Sequence, residues 1–175
     1  MDRPGLKRLI AREEIRDRVA ALGREIARDL AGRPVVIVGV LKGAFLFLAD
    51  LARELDLDCR LDFMALASYG AGTTPQSPVR VAQDIRVDVA DRDVLVVEDV
   101  VDTGRTLRFL REYLEARGPR SVRFCVLLDK RDRPGDVAVD YVGFRVPGRF
   151  IVGYGLDLDE RFRHLPDLYT VEEGD

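Results

Sequence analysis

The 175-residue sequence is poor in the side chains that build metal clusters and disulfides: it holds one histidine, His164, and two cysteines, Cys59 and Cys125. The cysteines lie far apart, each in an apolar strand-like run, and read as buried reduced thiols rather than a disulfide or metal pair. One histidine without clustered cysteines argues against zinc. A catalytic metal would be a hard cation held by carboxylates, magnesium before others. A strong charge of either sign is also missing. Lys and Arg total 28 against 31 Asp and Glu, a formal net charge of -3. That gives no reason to expect a duplex-binding surface, although local basic clusters would still hold an anion.

Long apolar runs are missing as well. The N-terminal stretch MDRPGLKRLIAREEIRDRV is charged throughout and has no signal-peptide core. The longest apolar stretch, around residues 35–51, is broken by Lys42 and Gly43 and is too short to span a bilayer. The expectation is a cytoplasmic protein with neither membrane nor nucleic acid as partner. Common nucleotide and nucleophile signatures fail too. There is no Walker-type glycine and lysine pattern, GAGTTP and GYGLDL lack the third glycine of a dinucleotide fingerprint, and no G-x-S-x-G occurs.

What is present is an ordinary globular composition, 47% hydrophobic and 34% charged, at a length suited to one domain with at most a small flap. Ile15, Val19, Leu22, Ile26 and Leu30 fall on one face of a helix, which AGRP at 31–34 stops. VVIVGV (35–40) reads as a strand buried on both faces, LKG (41–43) as a tight turn, and AFLFLADLAREL (44–55) as a helix on the sheet. CRLDFMALASY (59–69) is a second strand, with Leu61, Phe63, Ala65 and Ala67 on one face. GAGTTPQSP (70–78) is a mobile loop, and VRVAQDI (79–85) returns from it as the second arm of a flap-like hairpin. DVLVVED (93–99) is a third core strand, GRTLRFLREYLEARG (104–118) a helix, and SVRFCVLLD (121–129) a fourth core strand. YVGFRV and RFIVGYGLD look like a last pair of strands. Strands alternating with helices predict an α/β fold with a doubly wound, mostly parallel sheet. Such sheets bind ligands beyond the C-terminal ends of their strands, so LKG and EDVVDTGRT share one rim.

VLVVEDVVDTGRTL (94–107) is the unusual stretch. The most apolar strand runs into Glu98 and Asp99, with Asp102 just beyond and Thr103, Gly104, Arg105 and Thr106 opening a helix. The plain alternatives are solvated strand-end acids and an N-cap from Asp102 or Thr103. Unpaired N–H groups at a helix start bind phosphate well, and Gly104 lets the backbone approach an anion closely. Two acids beside a phosphate cradle suit a ribose diol and hydrated magnesium, which points to a ribose 5-phosphate.

Four apolar residues, two acids, two apolar residues and D-T-G-x-T resemble the phosphoribosyl diphosphate (PRPP) motif of type I phosphoribosyltransferases. GVLKGAFLFLADL (39–51), SYG (68–70), DKR (129–131), YVGFRVP (141–147) and FIVGYGLDLDERFRHLPDLY (150–169) are similar to the hypoxanthine-guanine group, in order, over roughly residues 10–172. The resemblance implies transfer of phosphoribosyl from PRPP to hypoxanthine or guanine, giving IMP or GMP and pyrophosphate, with Mg2+. It implies one domain over 1–175, with a mobile loop at about 68–80 and a C-terminal hood at about 145–175.

Residue by residue, it implies that Asp102, Thr103, Gly104, Arg105 and Thr106 hold the 5′-phosphate. Asp102 would also face purine N7 as general base. Glu98 and Asp99 would hold the ribose hydroxyls and the water on one magnesium. Leu41, Lys42 and Gly43 would form the pyrophosphate loop, with a peptide before the lysine that can be cis, and Arg163 would contact pyrophosphate. Asp157 would border the purine and bind a second magnesium. Lys130 would donate to the 6-oxo oxygen, Phe150 would stack on the base, and the Ile151 backbone would read its edge. Ser68 and Tyr69 would ride the closing loop. Family members form homodimers or homotetramers. Arg105 stands where others carry lysine or an uncharged residue, and the loop's proline pair is unusual and would affect closure speed. Both ends are compact, as in bacterial members. Two other readings remain. One is a xanthine-guanine phosphoribosyltransferase. The other is a PRPP-sensing, nucleic-acid-binding regulator, disfavoured by a sequence pI near 5.4 and by retention of Lys42, Asp102, Lys130, Asp157 and Arg163.

Overall fold

A computed structural model describes residues 5–68, 79–133 and 135–172, with Ser68 described through its backbone only. The expected flap loop, including Tyr69, therefore lies outside the described residues. The chain runs β1 (Leu6–Ile10), α1 (Arg12–Asp29), β2 (Val35–Leu41), α2 (Phe45–Glu54), β3 (Cys59–Ser68), β4 (Val79–Gln83), β5 (Asp93–Val101), α3 (Arg105–Glu115), β6 (Ser121–Asp129), β7 (Tyr141–Arg145), β8 (Ile151–Val152) and β9 (Leu168–Val171).

β2 is apolar at every position and sits in the middle of a six-stranded sheet ordered β4-β3-β2-β5-β6-β7. Its neighbours β3 and β5 run parallel to it, and β6 and β7 extend the parallel array. Only β4 is antiparallel, hung on the Ala65–Ser68 end of β3. Because side chains alternate across a strand, Val35 and Ile37 face one layer while Val36 and Val38 face the other. The first layer is closed by α1 and α2, through Ile15, Val19, Leu22, Ile26, Phe47 and Leu51. The second is closed by α3, through Leu107, Leu110 and Leu114 against Val94, Val96 and Phe124. Helices on both faces of a mostly parallel sheet make the doubly wound architecture that the sequence predicted. Each fully buried Leu or Ile contributes about 1.5–3 kcal/mol of burial.

α1 begins without a side-chain cap of its own, since Ala11 has none to give. Glu14 Oε2 accepts the Ala11 N–H at 2.9 Å, and Asp167 Oδ1 accepts the Arg12 N–H at 2.8 Å. A distant carboxylate thus ties the helix start to the segment leading into β9.

Two expectations need correction, and a third needs a qualification. The expected last pair of strands does not pair. β7 joins the large sheet beside β6, while β8 belongs to a separate antiparallel sheet ordered β1-β9-β8. The extended run breaks after Val152 because Gly153, Tyr154 and Gly155 all adopt positive φ (99°, 46° and 99°) and reverse the chain. In β3, Leu61, Phe63, Ala65 and Ala67 share one face as expected, but Met64 on the other face is the fully buried residue and Leu61 is 40% exposed. β4 covers only the far end of β3, so the Leu61 end stands at the sheet's edge. Cys125 is buried as expected, but Cys59 is only half-buried, and both are free thiols. Among the described residues, no helix is long and apolar enough to cross a membrane.

Candidate active site

Parallel strands deliver their C-terminal ends to one rim, and β2, β5 and β6 end there in Leu41, Val101 and Asp129. The Leu41–Lys42 peptide is cis. The turn after it packs directly on the acids of β5: a Cβ on Gly43 would collide with the Asp99 carboxylate. A second turn packs on the first, for a Cβ on Gly155 would collide with the Gly43 carbonyl oxygen. Three loops therefore stack at contact distance, with glycines at both junctions.

Glu98 is only 8% exposed, and its Oε2 has no hydrogen-bond partner among the described residues. Burial, and then the adjacent Asp99 charge, raises the Glu98 carboxyl well above its ordinary range. Burial also raises Asp99; its own and the Val100 backbone N–H groups and the Arg163 charge oppose that rise, and the Asp157 charge adds to it. These are not solvated strand-end acids. A buried carboxylate with an open oxygen lacks a partner that donates or is positively charged.

Beyond the acids, Gly104 is the N-cap of α3, with φ 79° in the left-handed region that glycine occupies freely. Gly104 has no side chain to cap with, and the hydroxyl before it, Thr103 Oγ1, accepts the Arg105 N–H in a long hydrogen bond of 3.5 Å. Of the two cap candidates in the sequence, Thr103 thus makes a weak contact, which does not exclude an anion at the same helix start. The helix start faces a cavity of about 200 Å³ lined by Glu98, Val100, Val101, Asp102, Thr103, Gly104, Thr106 and Leu107. A second cavity of about 200 Å³ shares Glu98 and Thr106 with it and reaches Leu41 and Ala67.

Lys130 follows β6, and its N–H donates to the Val101 carbonyl at 2.9 Å, which fastens it beside the β5 loop. The ammonium is half-buried; desolvation lowers its pKa, against the opposing pull of Asp102 and Asp99. On the other side of the rim, Arg163 Nη2 pairs with Asp157 Oδ1 at 2.8 Å, and Nη1 donates to the Gly155 carbonyl at 2.7 Å. Asp157 Oδ2 accepts the Glu160 N–H at 2.8 Å.

The structure thus brings together Gly43, Glu98, Asp99, Asp102, Lys130, Asp157 and Arg163. Phe150 lies outside the two small cavities. It is 53% exposed and lines another cavity, of about 500 Å³, with Gly148, Arg149, Thr170, Val171 and Glu172. Ile151 is buried in β8, opposite Thr170. Ser68 ends β3 next to the second cavity.

Sequence reasoning missed two residues here. Glu160 Oε1 accepts from Lys42 Nζ at 2.9 Å, and Glu160 Oε2 lies 3.4 Å from Arg163 Nη2, so one carboxylate spans both cations. Its position in a charged turn carries no signal. Tyr154 donates its hydroxyl to Asp50 Oδ2 at 2.6 Å, locking the Gly153–Gly155 turn to α2. A tyrosine between two glycines was the only hint.

A parallel sheet wound on both faces, with buried acids leading into a glycine-led helix start, is an arrangement suited to a phosphorylated ligand. The family model described as phosphoribosyl transferase domain matches residues 7–159, and the chain belongs to that family. Relatives there include hypoxanthine and hypoxanthine-guanine phosphoribosyltransferases. The chain is 47% identical over 171 residues to the hypoxanthine-guanine phosphoribosyltransferase of Mycobacterium avium, covering 94% of this chain and 84% of that protein. It is 45% identical over 161 residues to the hypoxanthine phosphoribosyltransferase of Salmonella typhimurium, covering 90% of each. The solved hypoxanthine phosphoribosyltransferase of Staphylococcus aureus superposes with a TM-score of 0.90 at 37% identity, over 96% of this chain and 92% of that one.

Proposed function

We propose that this enzyme transfers the 5-phosphoribosyl group of PRPP to N9 of hypoxanthine or guanine, yielding IMP or GMP and pyrophosphate. The observation that carries the reading is the β5 end. A buried acid with an open oxygen adjoins a glycine-led helix start, across from a half-buried lysine. The names of the relatives support the choice of base.

In this reading Thr103, Gly104, Arg105 and Thr106 bind the 5′-phosphate with hydroxyls, backbone N–H groups and charge. Glu98 and Asp99 accept hydrogen bonds from the ribose hydroxyls, which supplies the partner that the Glu98 oxygen lacks. The same donor set fits magnesium. Mg2+ usually takes one or two carboxylates and fills its shell with water and substrate oxygens, and among the described residues no cluster of three or more acidic, His or Cys ligands occurs. Glu98 and Asp99, and Asp157 from the opposite side, would hold it; when bound it neutralises pyrophosphate oxygens and makes them a better leaving group.

Lys42, Gly43 and Arg163 receive the pyrophosphate, exchanging Glu160 for its oxygens. As the C1′–O bond breaks, its electron pair leaves with pyrophosphate, and N9 bonds to C1′. Asp102 accepts the proton from N7. Nearby carboxylates stabilise the positive charge that develops on the ribose. Lys130 donates to the 6-oxo oxygen, a contact adenine cannot accept because its 6-amino group is itself a donor. Phe150 and Ile151 form the wall behind the base, and Ser68 and Tyr69 belong to the loop that excludes water. The β1-β9-β8 sheet is the hood, residues 1–175 form one domain, and the protein works as a homodimer or homotetramer in the cytoplasm.

The test is purified protein with PRPP and magnesium, given hypoxanthine, guanine, xanthine and adenine separately. IMP and GMP without AMP are expected, and the XMP yield ranks the xanthine-guanine alternative. PRPP binding with no nucleotide from any base would instead indicate a sensor.

A further inference from the structure

Lys130 sits between two residues that hold each other. Arg131 Nε donates to Asp129 Oδ1 and Arg131 Nη2 to Asp129 Oδ2, each at 2.9 Å, and the two side chains are 10% and 4% exposed. The Arg131 N–H donates to the same carboxylate at 3.1 Å, and Nη1 donates to the Val137 carbonyl at 3.1 Å. The Asp129 carbonyl accepts the Val146 N–H at 3.0 Å. The flanking side chains thus meet on the side of residues 137–145, while the charges felt by the Lys130 ammonium are those of Asp102 and Asp99, from the β5 end.

A two-pronged guanidinium–carboxylate contact fixes geometry as well as charge. Its contribution to net stability is small, because removing two charges from water offsets most of their attraction. The strand end needs no such pair to stay in register: β6 already pairs with β5 and β7 on both sides. What the pair does fix is the direction of the residue between its members.

We propose that Arg131 is a positioning residue for Lys130: by clamping Asp129 it aims the ammonium at the exocyclic 6-position of the purine and sets the preference for 6-oxo over 6-amino bases. This rests on the base-site reading above. A merely structural Arg131 would affect every substrate alike; a positioning Arg131 affects the base alone.

The experiment compares wild type, Arg131→Ala and Arg131→Lys by steady-state kinetics and by hydrogen exchange at the Lys130 amide. Arg131→Ala is expected to raise KM for hypoxanthine about 10-fold, the scale of one charge-assisted hydrogen bond, and to leave KM for PRPP within about twofold. Exchange at the Lys130 amide speeds up, and Arg131→Lys, with one prong, falls between. An unchanged hypoxanthine KM, or equal losses in both KM values with a lowered melting temperature, overturns the proposal. If Arg131→Ala does not fold, Arg131→Lys is judged by the same criteria. Should wild type use no 6-oxopurine, the base-site reading fails by itself; unchanged Lys130 exchange in the variants would then overturn the clamp independently.

Discussion

At the scale of single residues, charge placement separates the acids by role. Asp102 and Glu98 line the same cavity, but Asp102 is exposed there whereas Glu98 is buried with an unpaired oxygen. Asp102→Asn keeps the loop's shape and removes the proposed proton acceptor. Turnover is expected to fall by about 10²–10⁴-fold while PRPP affinity is nearly kept, as measured by kcat beside direct PRPP binding. Glu98 makes a prediction about the unliganded protein. Its carboxyl is raised above the ordinary 4.5 in the folded state, so folding favours the protonated form. Below that ordinary value both states are protonated and Glu98 is neutral towards stability. As pH rises, the unfolded chain ionises first and the folded protein loses stability. Glu98→Gln should therefore melt higher than wild type at about pH 8, the gap closing as pH falls towards 4.5, with each kcal/mol worth about 2–4 °C at this size. Thermal melts across that range, without PRPP or magnesium, decide it.

At the scale of elements, the stack of turns at the rim and the cores on either face of the sheet do different work. Gly155→Ala forces a Cβ against the Gly43 carbonyl at a φ of 99° and should displace the turn proposed to bind pyrophosphate. A shift of about 1 Å there is expected to lower kcat/KM for PRPP by about 10²-fold. Leu110→Ala opens the α3 layer instead: it should cost about 2–5 kcal/mol of stability while the folded fraction keeps its kcat. Denaturant melts paired with kinetics separate the two outcomes. The contrast also shows what the sequence could disclose. Helix faces and apolar strands were legible because Ile15, Val19, Leu22 and Ile26 repeat with helical period and β2 is apolar throughout. β1 was not, because only Ile10 of its residues is buried. β9 was not, because its partners, β1 and β8, are set by long-range pairing. At the site, motif acids and glycines stood out by spacing. The Glu160 bridge and the Arg131 clamp depend on side-chain directions that spacing does not encode.

At the scale of the whole molecule, the rim gathers charges that oppose one another until a ligand arrives. PRPP with magnesium should therefore stabilise the fold as any ligand of the native state does, by about 2.7 kcal/mol at a hundredfold excess over Kd. A rise in melting temperature of about 5–10 °C is expected, and a chelator should remove much of it while leaving the unliganded melt unchanged. A chelator that lowers the melt of the protein alone would point to a structural metal instead.

The small sheet joins strands from distant parts of the sequence: Thr170 Oγ1 reaches the Lys7 carbonyl across 163 residues. On a ribosome adding about 5–20 residues each second, β1 waits on the order of 10–30 s for β9 to be made. Throughout that interval β2, β3, β5 and β6 can assemble behind it, but the wall carrying Phe150 and Ile151 has nothing to pair with. The nascent chain would complete the rim at the end of β5 before the segment proposed to wall the base. Closure of the small sheet would then wait until β9 has left the exit tunnel.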